Sequence, residues 1–211
     1  MIINKRMQVD TMTIWNERFS GETYVYGKEA NVFIKEKASL LEQGTVACFA
    51  EGEGRNAVFL AERGLTVTAL DNADTGLEKA SALAGDRGLE IDVKKMDLTL
   101  EAPERESFDH AIMVFGHVPK SSQAWMMRNI LASVRPGGVV LLEVYSEDQL
   151  DYGTGGPPDA GLLYDPEDIL TWIRDHHVLH FYYGEADRVE GEKHTGRCHL
   201  IQAAIRIQSS I

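Results

Sequence analysis

Two carboxylates stand where an apolar run breaks into glycine. Thr45-Val46-Ala47-Cys48-Phe49-Ala50 leads into Glu51-Gly52-Glu53-Gly54-Arg55-Asn56-Ala57, and the helical pattern that follows stops at Gly64. This order predicts a strand, a tight glycine turn and a helix N-terminus, a geometry that brings backbone amides against a nucleotide-like ligand. The charge narrows the choice of ligand. At roughly 5 Å and an effective dielectric near 20, an anion beside either carboxylate is opposed by about 3 kcal/mol, and a cation is favoured by a similar gross amount. A diphosphate is therefore disfavoured at this turn, and a cationic nucleoside derivative is expected.

Other candidates stand at the ends of apolar runs. Asp71 closes the run Leu65–Leu70 and lies 17 positions after Gly54 (71 − 54). That is close to the roughly 20-residue offset at which an acid meets a ribose diol. Its competing role is a cap for a helix from Ala73 onward. Asn72 follows it into the same turn. Asp97 and Leu98 end Ile91–Met96, placing a carboxylate where an adenine amino group would donate; a solvated turn is the alternative. Arg55 is placed to meet either a ligand carboxylate or another acid. Phe115 ends the run from His110, and His117 lies just beyond it. His117 and His194 are the expected acceptor-side groups, His194 together with Arg197 suiting an anionic substrate. Tyr24 and Tyr26 are expected to fold over a cationic centre as an aromatic lid.

The elements that must position these groups alternate. Strands at 45–50, 65–70, 91–96, 110–115 and 139–144 are separated by helices near 55–63, 74–84 and 121–134, which predicts a parallel doubly wound sheet. A Gly/Pro-rich loop spans Asp151–Pro158, and Pro166 opens a helix to about Asp175. Two alternating runs, Val178–Arg188 and His194–Gln208, are joined by Glu190-Gly191-Glu192 and predict an antiparallel terminal hairpin. His176 and His180 have a helical ligand spacing, but the helix is expected to end between them, so no metal is predicted.

A chain of 211 residues with 44% hydrophobic and 26% charged content suits one globular domain. Its segments divide into a helical cap (1–44), a cofactor-binding core (45–144) and a substrate-side loop, helix and hairpin (145–211). A net charge of -12 argues against nucleic acid as the main partner. Cys48 and Cys198 have no metal-like spacing and are expected to be reduced core thiols. No secretory signal and no apolar run of about 20 residues is visible, so neither a leader nor a membrane span is predicted and the cytoplasm is the expected location.

Taken together, Glu51-Gly52-Glu53-Gly54-Arg55-Asn56, Asp71, Asp97-Leu98 and Pro136-Gly137-Gly138 resemble a class I S-adenosylmethionine (SAM)-dependent methyltransferase. Within that superfamily, Trp15-x-x-Arg18-Phe19, Tyr24-x-Tyr26-Gly27 and Leu60-Ala61-x-x-Gly64 look like the tellurite-resistance-type and thiopurine-type branch. The resemblance implies an α/β fold: a doubly wound, mostly parallel seven-stranded sheet with a C-terminal antiparallel hairpin. It implies SAM as cofactor, held by Tyr26, Glu51, Gly52, Glu53, Gly54, Arg55, Asn56, Asp71, Asn72, Asp97, Leu98 and Phe115. It also implies a small-molecule acceptor such as a thiol, selenium or tellurium species. That branch usually has an acid at the position of Cys48 and a glycine at that of Ala50; Glu51 is the expected substitute for the acid. An NAD(P)-linked oxidoreductase and a non-catalytic SAM-binding protein are the alternatives, the first because Gly52-x-Gly54-x-x-Ala57 loosely satisfies the dinucleotide pattern.

Overall fold

The computed structural model describes residues 14–191 and 194–209. After a helical turn at 14–19 and helix α1 (Val32–Lys37), strands and helices alternate. Their order is β1 (Thr45–Phe49), α2 (Arg55–Glu62), β2 (Thr66–Asp71), α3 (Asp74–Asp86), β3 (Asp92–Lys95), β4 (Phe108–Val114), α4 (Lys120–Ser133) and β5 (Val134–Tyr145). Helix α5 (Pro166–Ile173) and the hairpin β6 (His177–Glu190) and β7 (His194–Arg206) complete the chain. The sheet order is β3-β2-β1-β4-β5-β7-β6. The first five strands pair in parallel, and β7 lies antiparallel between β5 and β6.

Residue alternation along the central strands explains the two layers of helices. Val46, Cys48 and Ile112 join Phe33, Ile34 and Leu60 in the core on one face. Ala47, Phe49 and Met113 join Met126, Met127 and Ile169 on the other. A strand covered on both faces has to be apolar throughout, and β1 is buried from Val46 to Phe49. Cys48 and Cys198 are buried free thiols, both on the first face. Burial pushes both thiols up, Cys198 to about 11, so neither is a reactive thiolate at neutral pH.

Two boundaries differ from the sequence expectation. Strand β5 begins at Val134 rather than Val139, because Val134 pairs with Phe108 before a register shift and Gly137 donates to the Ile207 carbonyl. The first hairpin strand reaches further toward the tip, to Glu190 rather than Arg188, while the second begins at His194 as expected. Because β7 runs antiparallel to β5, with Tyr145 opposite Leu200, residues before Leu200 project past the carboxyl end of the parallel strands. That projection decides where His194 and Glu190 stand. The predicted turn residue Glu192 lies outside the described residues.

Chain order reverses between β1 and β4, the switch point at which doubly wound sheets open a ligand crevice. Helix α1, capped by Asn31 through the Ile34 amide, packs its Phe33 and Ile34 into the same core as the sheet. No helix among the described residues is long and apolar enough to cross a membrane.

Candidate active site

A cleft of about 1400 Å3, open mouth included, lies at that crevice. Its walls include Tyr26, Glu51, Gly52, Arg55, Asn56, Asp71 and Asn72 from the glycine-turn side. Asp97 and Leu98 contribute from the end of β3, and Phe115, His117 and His194 from the opposite side. The structure thus brings twelve of the residues singled out from sequence to one space. Others stand outside it. Glu53 turns away and pairs with Lys79 at 2.5 Å, and Gly54 caps α2 and packs against Ala80 of α3.

Glu53 therefore corrects the picture of two acids facing a ligand. Its charge is neutralised by Lys79, whose ammonium also donates to the carbonyls of Phe19, Gly21 and Thr23. One lysine gathers the segment before α1 onto the glycine turn. Nothing local in the sequence marks Lys79 for this role; the partner is 26 positions away.

Glu51 has the opposite fate. Its Oε1 accepts from the amides of Asn56 and Ala57, each at 2.8 Å, so a built-in carboxylate already occupies the N-terminus of α2. A dinucleotide's diphosphate binds at such helix amides, and here those donors are taken. Burial raises the Glu51 carboxyl to about 7 against these amides and the Arg55 charge, which lower it. The sign of the pH dependence follows. The folded value lies above the ordinary 4.5, so the ligand-free protein loses stability as pH rises through the window from 4.5 to about 7. Were Glu51 to hold the ammonium of a ligand such as S-adenosylhomocysteine (SAH), affinity would rise over that window and level above it, because the ammonium needs the ionised carboxylate. We expect roughly tenfold per pH unit below 7. Calorimetric SAH titrations from pH 5.5 to 8.5 read this; a profile unchanged in Glu51→Gln would contradict it.

Asp71 ends β2 with its carboxylate across the turn. One oxygen accepts from the Gly52 amide at 2.8 Å and the other from Ala73 at 2.9 Å. The group caps the following turn and also lines the cleft. Burial raises its pKa, partly opposed by the backbone amides. Each oxygen keeps a further lone-pair direction, enough for the two hydroxyls of a ribose. Asp97 accepts from the amide and hydroxyl of Thr99 and also lines the cleft.

On the opposite wall of the cleft the groups are aromatic and uncharged. The His194 ring lies 4.5 Å from Tyr26, 4.5 Å from Phe115 and 5.5 Å from Tyr145. Burial foremost, then the Arg55 charge, lowers His194 to about 2, and burial lowers His117 to about 4. Both imidazoles are neutral at physiological pH. The His117 Nδ1 lies 3.4 Å from the Leu162 carbonyl, which only accepts, so Nδ1 carries the proton and Nε2 the lone pair. Phe115 has a left-handed φ of 53° and Ala50 one of 51°, strained values for residues with a Cβ that persist where packing dictates them.

The expected anionic site of His194 with Arg197 is not built. Arg197 is exposed and pairs with Glu185 and Asp187. Arg55 is not free for a ligand either, since its Nη1 lies 2.7 Å from Glu190 and donates to the Tyr26 carbonyl. Tyr24 donates to the Lys79 carbonyl outside the cleft wall, so only Tyr26 of the expected lid pair lines the cleft. The residues that sequence reasoning missed are buried ions. Glu143, wholly buried, binds Arg188 at 2.5 Å and accepts from Asn31 and Gln202. An acid inside the apolar run Val139–Val144 was the available signal. His176, His177 and His180 fall at the end of α5 and along β6, and no metal-holding cluster occurs among the described residues.

The donor set fits SAM. It offers acids for a diol and an ammonium, aromatic faces for a sulfonium, and helix amides already closed to phosphate. The comparisons agree. Residues 46–138 match the family model of a methyltransferase domain. A rat (Rattus norvegicus) glycine N-methyltransferase is 27% identical over 147 residues, covering 61% of this chain. The chain spans about half the length of that curated relative, 49%. Among solved structures, TehB from Haemophilus influenzae has a TM-score of 0.71 at 15% identity, over 85% of this chain and 63% of that one. A SAM-dependent methyltransferase from Anabaena variabilis has 0.69 at 19%, over 93% of both chains. A structure from work on the conversion of a disulfide bond into a thioacetal group during echinomycin biosynthesis has 0.74 at 17%, over 94% and 93%. At these identities the structures testify to the fold alone, and that fold is the mostly parallel seven-stranded sheet with a terminal hairpin. Fold, cleft chemistry and the matched segment point the same way: residues 46–138 match a methyltransferase domain, in a fold and beside a cleft that suit SAM.

Proposed function

We propose that the protein transfers the methyl group of SAM to a small soft nucleophile, a thiol or a selenium or tellurium species. The observation that carries the choice of donor is the Glu51 carboxylate seated on the α2 amides, which excludes a diphosphate and so counts against the oxidoreductase reading. The choice of acceptor rests on the uncharged wall of Phe115, His117 and His194. The chemistry SAM supplies is an electrophilic methyl on a sulfonium. Displacement there is in line, so the chain's part is alignment and exclusion of water. Tyr26 and Phe115 present ring faces on which a sulfonium is favourably placed. His117 accepts a hydrogen bond from the acceptor's S–H at Nε2 and holds the sulfur in line; as the S–CH3 bond forms and the bond to the sulfonium breaks, the thiol proton passes to Nε2 and on to water, and SAH leaves as a neutral thioether.

The rat relative acts on glycine by its name, and a glycine carboxylate would call for a cation on the acceptor wall. The cleft-lining arginine, Arg55, is spent on Glu190. An SAH-release assay with a panel of small thiols, selenols, tellurite-derived species and glycine tests the proposal. Turnover of glycine alone contradicts the acceptor class, and no turnover with intact SAH binding favours a non-catalytic role. His117→Ala is expected to lower kcat about 100-fold while leaving the SAH Kd within about twofold. Equal loss of both would take His117 off the acceptor side.

A further inference from the structure

The turn that carries His117 is fastened by a distant part of the chain. Phe115 keeps its left-handed φ of 53° with its amide on the Glu143 carbonyl at 2.8 Å. A Cβ at Gly116 would meet the Met113 sulfur at 2.8 Å, so the backbone leaves β4 in a tight bend. The orientation of the next peptide then fixes the direction in which His117 projects. Three consecutive residues, Leu162, Leu163 and Tyr164, bond to this turn and to the helix that follows it. The Tyr164 hydroxyl donates to the Gly116 carbonyl at 2.5 Å, and the Leu162 carbonyl faces His117 Nδ1 at 3.4 Å. The Leu163 carbonyl accepts from Gln123 of α4, which also donates to Val118.

Tyr164 is itself held firmly enough to act as an anchor. Its ring is wholly buried beside Met113, Met126 and Val144 in the core of the second face. Its amide donates to the Tyr145 carbonyl at 3.1 Å and its carbonyl accepts from Glu147 at 3.1 Å, a parallel bridge that extends the end of β5. Asp165 caps α5 directly afterwards, accepting from the Glu167 amide. Packing alone would be served by phenylalanine, since a buried hydroxyl is costly unless it is bonded. The Gly116 carbonyl is that bond, and burial pushes the phenol up, so the group stays a donor.

We propose that Tyr164 is a positioning residue of the acceptor side: its hydroxyl sets the Gly116–His117 peptide so that the imidazole keeps Nδ1 on Leu162 and turns Nε2 to the acceptor. This rests on the methyltransferase reading above. At 3.4 Å the bond to Leu162 is long, and a long bond holds a ring only while the backbone beneath it is fixed. Tyr164 supplies that fixity one residue upstream, and the tautomer of a neutral imidazole follows from the hydrogen bond its other nitrogen makes.

Tyr164→Phe keeps the buried ring and removes only the donor. With the best acceptor of the panel, kcat is expected to fall about tenfold while the SAH Kd stays within about twofold, which also shows that the variant is folded. In a His117→Ala background the same substitution is expected to change kcat by less than about twofold, because the ring it acts through is gone. A merely structural role would lower stability in both backgrounds without this coupling. An unchanged kcat in the single variant, or a full tenfold loss in the double one, would overturn the assignment. Nitrogen NMR of histidine-labelled protein with SAH reads the ring without turnover, His117 being identified by its absence in His117→Ala. The wild type is expected to show one Nδ1–H tautomer and Tyr164→Phe an averaged pair of nitrogen shifts; identical shifts would overturn the proposal. A wild type that binds SAH yet methylates nothing in the panel counts against the acceptor reading alone, and the nitrogen shifts still decide on Tyr164.

Discussion

Asp71→Ala is expected to weaken SAH binding at least about 100-fold, the largest cofactor effect of any single side chain in the cleft. Two charge-assisted hydrogen bonds to a ribose diol are worth about 1.5–3 kcal/mol each, and 1.4 kcal/mol is a factor of ten. The substitution does more than remove them. Asp71 also accepts the Gly52 and Ala73 amides, so its loss frees the glycine turn that shapes the donor site. Asp71→Asn separates the two contributions. It keeps one acceptor oxygen for the turn and replaces the other by an N–H donor, so intermediate affinity marks the ribose bonds and full loss marks the turn. Calorimetry with SAH measures both, and an unchanged Kd in Asp71→Ala would remove the residue from the site.

The second large effect is on stability. Arg188→Met is expected to cost about 3–5 kcal/mol, because it strands a carboxylate in the interior. Glu143 is wholly buried, and without Arg188 it keeps only the amides of Asn31 and Gln202. Glu190, which Arg188 approaches at 3.8 Å, retains Arg55. The double variant Arg188→Met/Glu143→Gln removes the charge together with its partner and is expected to recover most of the loss, since a neutral amide costs far less to bury. Urea unfolding at pH 7 measures both. A single variant as stable as the wild type, or a double variant no better than the single, would show that the pair is not what holds the hairpin.

The network matters to the site as well as to the fold. Asn31 donates to both Glu143 and Glu190, and its own amide donates to Asn56 at the start of α2. Glu190 in turn holds Arg55, and Gly191 lies against the Tyr26 backbone. The hairpin that carries His194 is thereby registered on the helix that carries the donor-side turn. The two walls of the cleft are fastened to one another through buried ions.

What was legible in the residues follows their range of action. The β1–turn–α2 unit, the acid at the end of β2 and the apolar central strands were readable because each is set by neighbours within one element: alternation, a glycine break, a strand end. The terminal hairpin was readable for the same reason, from alternation along His194–Gln208. The extension of its first strand to Glu190 was not, because Glu190 is held by Arg55 and Asn31, which local pattern does not encode.

By itself the sequence determined the class of fold, the switch-point cleft and the acidic character of its floor. Only the tertiary structure decided which acids act there. Glu51 and Glu53 are two positions apart and indistinguishable by type, yet one seats on helix amides within the cleft and the other is consumed by Lys79. Arg55 and Arg18 divide in the same way, the first paired with Glu190 and the second with no carboxylate among the described residues. The physical reason is that a charge's role is set by what lies within a few ångströms once water is gone, and those neighbours are brought from distant parts of the chain.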